Sequence, residues 1–399
     1  MPRLSPYPRV TVKPGRERSL RLRHPWVFSG AIAKVDGAPG AGETVSLVDA
    51  DGQPLAVGGW SPHSQIRARV WSFDPTQTVD ADFFRTRIAA AIGRRKGLLD
   101  SEHNACRLIH AESDGLPGVV ADRYGDVVVV QIVGAGAEAW RDVIIDALLV
   151  ESGCRTVFER SDADVRALEG LAPRSGLAAG PEVDRVDVVE DGLHYSVDVV
   201  RGQKTGFFLD QRDNRKRVRS HADRRAVLNC FCYTGAFTVA AHAGGAVSSL
   251  SIDSSADALA LARHNLERNG IADAGAELRE ADVFAELRRL RDRGASFDMI
   301  VLDPPKFAPT AQHAEKASRA YKDINLLSLK LLRPGGVLAT FSCSGGVSPE
   351  LFQKIVAGAA SDAGADAVIL ERFAASADHP VALSFPEGEY LKGLLLQKR

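Results

Sequence analysis

Residues 226–245, AVLNCFCYTGAFTVAAHAGG, run from an apolar stretch through a single-glycine turn into a segment with helical spacing. Strand, tight turn and helix in that order form the opening unit of a parallel α/β sheet. The pattern repeats downstream. AVSSLSID (246–253), GAELREAD (275–282), FDMIVLDPP (297–305) and GGVLATFSCS (335–344) are short apolar runs separated by helical stretches such as SADALALARHNLERNG (255–270). The alternation predicts a doubly wound, Rossmann-like α/β domain over 191–399, whose ligands bind beyond the carboxyl ends of its strands.

Upstream the character changes. DADFFRTRIAAAIGRRKGLL (80–99) and AEAWRDVIIDALLVESG (137–153) have helical periodicity, and CRLIHAESDGLPGVVADRYGDVVVVQIV (106–133) reads as strands joined by turns. These predict a middle α+β domain over 73–190, with APRSGLAAGPE (172–182) as its most linker-like stretch. Residues 1–72 predict a compact β-rich barrel. ETVSLVDADGQPLAVGGWS (43–61) has the form of a hairpin, and QIRARVWSF (65–73) alternates like a half-exposed strand.

Composition narrows the function classes. The chain has 399 residues, 45% of them hydrophobic and 25% charged, enough for two or three packed domains. No apolar run approaches the roughly 20 residues that span a bilayer, and the N-terminus lacks a secretory pattern, so no membrane association is expected. Five cysteines without a CxxC pair argue against a disulfide framework or structural zinc, and fit a reducing, cytoplasmic setting. The net charge of −1 hides two basic clusters. Residues 1–34 carry eight Lys/Arg against Glu17 alone, and residues 201–225 carry nine against three acids. Such clusters suit a polyanionic partner.

The candidate site lies at the predicted strand ends. The turn at Gly235 lets the backbone pass close to a ligand. Asp253 ends the second strand, 18 residues on, where an acid can accept both hydroxyls of a ribose. Asp282 follows the third strand, placed to meet an exocyclic amine while Val283 or Phe284 packs on a base. Together these predict an adenosine-containing cofactor. Asp303 opens a DPP turn after the fourth strand, held rigid by Pro304 and Pro305 at the mouth of the same crevice.

The segments NCFCYTGAF, SID, ADVF, LDPPKF and SCSGG resemble the class I S-adenosylmethionine-dependent methyltransferases. KTGFFLDQR, RAYKDINLLSLKLLRPGG, LFQKI and ADHPVALSFPEGEYLKG are similar to the RlmI family of bacterial 23S ribosomal RNA cytosine-5 methyltransferases. The likeness runs through most of the chain, since GRERSLRLRHPWVFSGAI and SDGLPGVVADRYG also fit. It implies an N-terminal PUA module, a middle α+β domain and a C-terminal methyltransferase domain. It implies S-adenosylmethionine as cofactor, 23S ribosomal RNA as partner and no metal, and it leaves a homodimer open. It also implies that Asn229, Tyr233, Gly235, Asp253, Asp282, Val283 and Gln211 contact the methyl donor. Two departures stand out. Phe207 and Phe208 replace tyrosines of the family pattern, and Cys232 replaces serine.

Carbon 5 of cytosine is too electron-poor to accept a methyl group unaided. A thiolate adding to carbon 6 makes carbon 5 nucleophilic. Cys343, in the SCSGG turn after the fifth strand, is the expected nucleophile. Asp303 would hold the ring edge, and Lys306 would supply positive charge near the sulfur or the RNA. Tyr321, Lys322, Asp323 and Asn325 are candidates for the RNA path, with a helix cap as the alternative at Asp323. Asp378 and His379 are candidates to reach the base. Two other readings stay open: transfer to a guanine or adenine nitrogen, which needs no thiol, and a non-catalytic ribosome assembly factor that binds S-adenosylmethionine.

Overall fold

The computed structural model describes residues 6–271, 275–308 and 314–399, and the chain divides into two compact units. The first comprises residues up to Val188, with Val197–Leu209 and Asp378–Gly388. It holds two sheets. Six strands from Arg9–Val12 to Ile66–Ser72 form one sheet around a core of Val10, Val12, Leu20, Val27, Leu47, Trp60 and Val70. The five-stranded second sheet runs from Ala105–His110 to Arg174–Ala179. Helices Ala81–Gly93 and Arg141–Ser152 contribute Phe84, Ile88, Ile144 and Leu148 to its core, and Asp80 caps the first of them by accepting from the Phe83 N–H at 2.9 Å.

The two sheets are not separately packed. Val57 and Trp71 of the first belong to the core of the second, with Trp71 edge-on to Phe84 at 5.1 Å. A Cβ at Gly59 would lie 2.8 Å from the Gly136 Cα, so this approach needs glycine. The expected division at 72/73 therefore falls between two sheets that each have a core and are joined through Val57 and Trp71.

The expected linker at 172–182 is corrected. Residues Arg174–Ala179 form an edge strand, antiparallel to Thr156–Ser161 with Arg160 opposite Ser175. Glycine and small residues mask its period, and pairing along one edge supplies the order that propensity does not.

The second unit comprises Val189–Ser196, Asp210–Ala377 and Glu389–Arg399. Its seven-stranded sheet contains β1 (Ala226–Cys230), β2 (Ser248–Asp253), β3 (Ala276–Glu280), β4 (Phe297–Leu302), β5 (Leu332–Ser342), β6 (Ala367–Ala374) and β7 (Lys392–Lys398). Their spatial order is 3-2-1-4-5-7-6. The first five run parallel, and β7 lies antiparallel between β5 and β6.

Strand alternation builds one core on each face of this sheet. Leu228, Ile300, Leu302, Leu338 and Leu394 pack with the helices Val283–Asp292, Ala314–Leu331 and Pro349–Ala363. Val227, Met299, Val301, Ala339 and Leu395 pack on the other face with Val218, Phe237 and Ala241. The chain leaves β1 towards β2 and β3, then returns to β4 on its other side. The carboxyl end of β1 is thus the switch point where such sheets bind ligands.

Candidate active site

The turn after β1 is sharply wound: Phe231, Tyr233 and Gly235 have φ of 59°, 48° and 79°. Two non-glycine residues in the left-handed region cost of order 1–3 kcal/mol each and persist only where their surroundings impose them. Asp253, at the end of β2, is what holds the turn. One of its carboxylate oxygens accepts the Tyr233 N–H at 2.8 Å and the other accepts the Ser255 N–H at 3.0 Å. Each oxygen keeps lone-pair capacity for a ribose hydroxyl. Asp282 caps the helix Val283–Asp292 through the Ala285 N–H at 2.8 Å and is itself exposed.

The apolar wall of the crevice differs from expectation. Val283 is 3% exposed and belongs to the core, whereas partly buried Phe284 faces Phe231 and Phe307 at ring separations of 6.3 and 6.0 Å. Phe231 and Phe307 lie inside the NCFCYTGAF and LDPPKF segments, yet neither is among the expected contacts. Asn229 also sits deeper than a ligand contact. It is 1% exposed, and its amide donates to Thr238 Oγ1 at 2.9 Å, which in turn bonds Ser251 at 2.7 Å. Its side chain ties β1 to β2 beneath the turn. With the switch-point turn, two acids and three phenyl rings, the residues present fit an adenosyl cofactor.

The second half of the site arises from the pairing of β4 with β5. Leu302 lies opposite Thr340, so the DPP and SCSGG turns leave adjacent strands side by side. The Cys343 thiol donates to the Pro304 carbonyl at 3.9 Å. Asp303 accepts from the Gln211 amide at 3.0 Å, and Gln211 accepts from Asn214 at 2.6 Å. Gln211 is 2% exposed and orients Asp303.

Beneath both turns Tyr321 is fully buried. Its hydroxyl bonds Ser342 and Ser344, each at 2.9 Å, and Ser344 accepts the Ala308 N–H at 3.0 Å. Burial raises the Tyr321 pKa, so the phenol stays protonated as a strut. Lys306 stands exposed on the DPP loop.

The five cysteines separate clearly. Cys106, Cys154, Cys230 and Cys232 are buried, and Cys343 alone is partly exposed. Burial pushes the Cys154, Cys230 and Cys232 thiols up, Asp253 adding to the shift at Cys232, so none of these three is poised as a thiolate. Cys343 is partly buried at the margin of the core that contains Phe341 and Leu391.

Several expected contacts take structural roles instead. Tyr321 and Asn325 are buried and cannot line an RNA path, while Lys322 pairs with Asp362 and Asp323 with Arg288. Within the first unit Asp378 is fully buried. Its carboxylate accepts the Arg107 N–H at 2.8 Å and contacts His379 Nδ1 at 2.9 Å, and its carbonyl accepts from Arg95 at 3.0 Å.

The basic cluster at 201–225 is partly paired: Arg201 with Asp198, Arg215 with Glu190, Lys216 with Asp191 and Arg217 with Glu371. In the N-terminal cluster Arg21 pairs with Asp49 and Lys34 with Asp36. Arg16, Arg18 and Arg23 are exposed, and Leu22 and Phe28 beside them are 64% and 49% exposed. Among the described residues no group of three metal-ligating side chains occurs, and no helix is long and apolar enough to cross a membrane.

Comparison with known proteins agrees with this geometry. A family model for S-adenosylmethionine-dependent methyltransferases matches residues 173–383, and one for PUA-like domains matches residues 10–73. Proteins named ribosomal RNA large subunit methyltransferase I are 50% identical: that of Shewanella denitrificans over 97% of this chain and 98% of its own, that of Aeromonas hydrophila over 96% and 98%. Among solved structures, a candidate SAM-dependent methyltransferase from Streptococcus mutans superposes with a TM-score of 0.84 at 23% identity, covering 98% of this chain and all of that one. A candidate methyltransferase complexed with SAH gives a TM-score of 0.85 at 24% identity over the same shares.

Proposed function

Because this chain belongs to the ribosomal RNA large subunit methyltransferase I family of S-adenosylmethionine-dependent enzymes, we propose that it forms 5-methylcytosine in 23S ribosomal RNA through a transient bond from Cys343 to the base. The observation that carries this reading is the exposure of Cys343 alone among five cysteines, on a turn directly against the DPP loop.

S-adenosylmethionine, when bound, supplies an electrophilic methyl group on sulfur. Asp253 and Asp282 would hold its adenosine half, and Phe231, Phe284 and Phe307 would offer the base an apolar wall. The target cytosine is flipped or single-stranded when it enters. Asp303, oriented by Gln211, holds the ring edge at the protonated N3 or the exocyclic amine. The Cys343 thiolate adds to carbon 6, forming the S–C6 bond and moving electron density to carbon 5, which would take the methyl group as its bond to the donor sulfonium breaks and a neutral thioether leaves. Loss of the carbon-5 proton to a base then re-forms the C5–C6 double bond and expels the thiolate. Arg16, Arg18 and Arg23 contact phosphates, which positions the RNA without selecting the site.

The test is methyl transfer from labelled S-adenosylmethionine to 23S ribosomal RNA from cells lacking this protein, with mass-spectrometric mapping of the product. The expected product is 5-methylcytosine, and Cys343→Ala should abolish it while cofactor affinity stays within about twofold. Full activity in Cys343→Ala, or label on a purine nitrogen, would establish the thiol-independent reading. No label in any nucleotide would favour an assembly factor.

A further inference from the structure

Lys392, at the start of β7, carries a buried ammonium that the chemistry above does not use. Its side chain is 7% exposed, and β7 pairing sets it opposite Ser342, the residue before Cys343. Its Nζ donates to the carbonyl of Ser344 at 2.7 Å and to that of Val347 at 2.7 Å. These bonds go to the backbone of the thiol's own turn, and not to a carboxylate. A buried cation is retained where an anion offsets it.

We propose that Lys392 is the positioning residue of the thiol site: it pins the SCSGG turn through two carbonyls and supplies the charge that favours the Cys343 thiolate. This rests on the reading of Cys343 as nucleophile.

Electrostatics agree with the geometry. Burial pulls the Lys392 ammonium down to about 8, while Cys343 and Glu389 act to hold its proton and Lys306 opposes them. The coupling is reciprocal: if a Cys343 thiolate favours the proton on Lys392, the Lys392 charge favours the thiolate to the same extent. Tyr321, kept neutral by burial, also interacts with the thiol. Lys392 does not serve as a base while charged, and two of its protons are committed to carbonyls. Lys306, exposed and free to move, suits RNA contact better than a fixed charge.

The test is the pH dependence of Cys343 alkylation by iodoacetamide in the full chain, read by peptide mass spectrometry. The wild-type midpoint is expected below the value of about 8.5 for free cysteine, and a midpoint at or above it overturns the proposal without any variant. Lys392→Gln keeps an amide donor near the carbonyls and loses the charge. Its midpoint should rise by about one unit or more, slowing alkylation at pH 7 about tenfold. Lys392→Arg should keep the wild-type midpoint. An unchanged midpoint in Lys392→Gln that still binds S-adenosylmethionine would also overturn the proposal. Alkylation does not depend on methyl transfer. If Cys343→Ala stayed active while Lys392→Gln shifted the midpoint, the nucleophile reading would fall and the Lys392–Cys343 coupling would stand.

Discussion

Asp303 and Tyr321 show two ways in which one side chain serves the site. Asp303 is held by Gln211, and the proposed role sets its carboxylate on the base and not on the donor. Asp303→Asn is expected to lower kcat at least about a hundredfold, with S-adenosylmethionine affinity unchanged by calorimetry. Tyr321→Phe removes the hydroxyl that joins Ser342 to Ser344, and should cost about 1–2 kcal/mol in denaturant titration while slowing turnover. His110 supplies a pH signature in the first unit. Burial, with the Arg107 charge next, pushes its pKa down to about 2, and Arg107 lies 3.0 Å from its Nδ1. The unfolded chain binds this proton below about 6.5 and the folded chain does not, so acid favours unfolding. Stability should be complete above that pH and fall by up to about 1.4 kcal/mol per unit below it, on the way towards the folded pKa. In His110→Gln the amide exchange of strand Ala105–His110 should lose most of that slope.

The turn after β1 depends on its backbone geometry. Gly235 has φ of 79°, and a Cβ there would meet the Ala262 Cβ at 3.0 Å. Gly235→Ala is expected to cost about 1–2 kcal/mol and weaken cofactor binding about tenfold by calorimetry. The strand-turn-helix pattern at 226–245 was legible because period and glycine coincide within a few residues. The edge strand Arg174–Ala179 was not, because neither face of it carries a repeating apolar signal. Val283 was misplaced for a related reason. It follows an acid that caps a helix, and the first turn of that helix points Val283 inward and leaves Phe284 beside Phe231 and Phe307.

Charge along the chain does not by itself say which basic side chains stand open. In the 201–225 cluster Arg212 and Arg215 are buried, whereas Arg16, Arg18 and Arg23 are all exposed. Replacing Arg16, Arg18 and Arg23 by Gln should lower the slope of log affinity against log salt by about two to three, without changing cofactor affinity. Substitution suits this question better than deleting residues 1–72, because Val57 and Trp71 belong to the core of the adjoining sheet.

The α/β class, the glycine turn after β1, the acids at the ends of β2 and β3, and the DPP turn after β4 follow from local pattern, since each lies in a short segment readable in place. Lys392 does not. It stands 49 residues beyond Cys343 in a strand whose composition marks it only as a core strand, and antiparallel pairing with β5 is what brings its ammonium under the thiol's turn. Burial and partnership between distant segments belong to packing, and a side chain's charge acquires its meaning only from the neighbours that packing supplies.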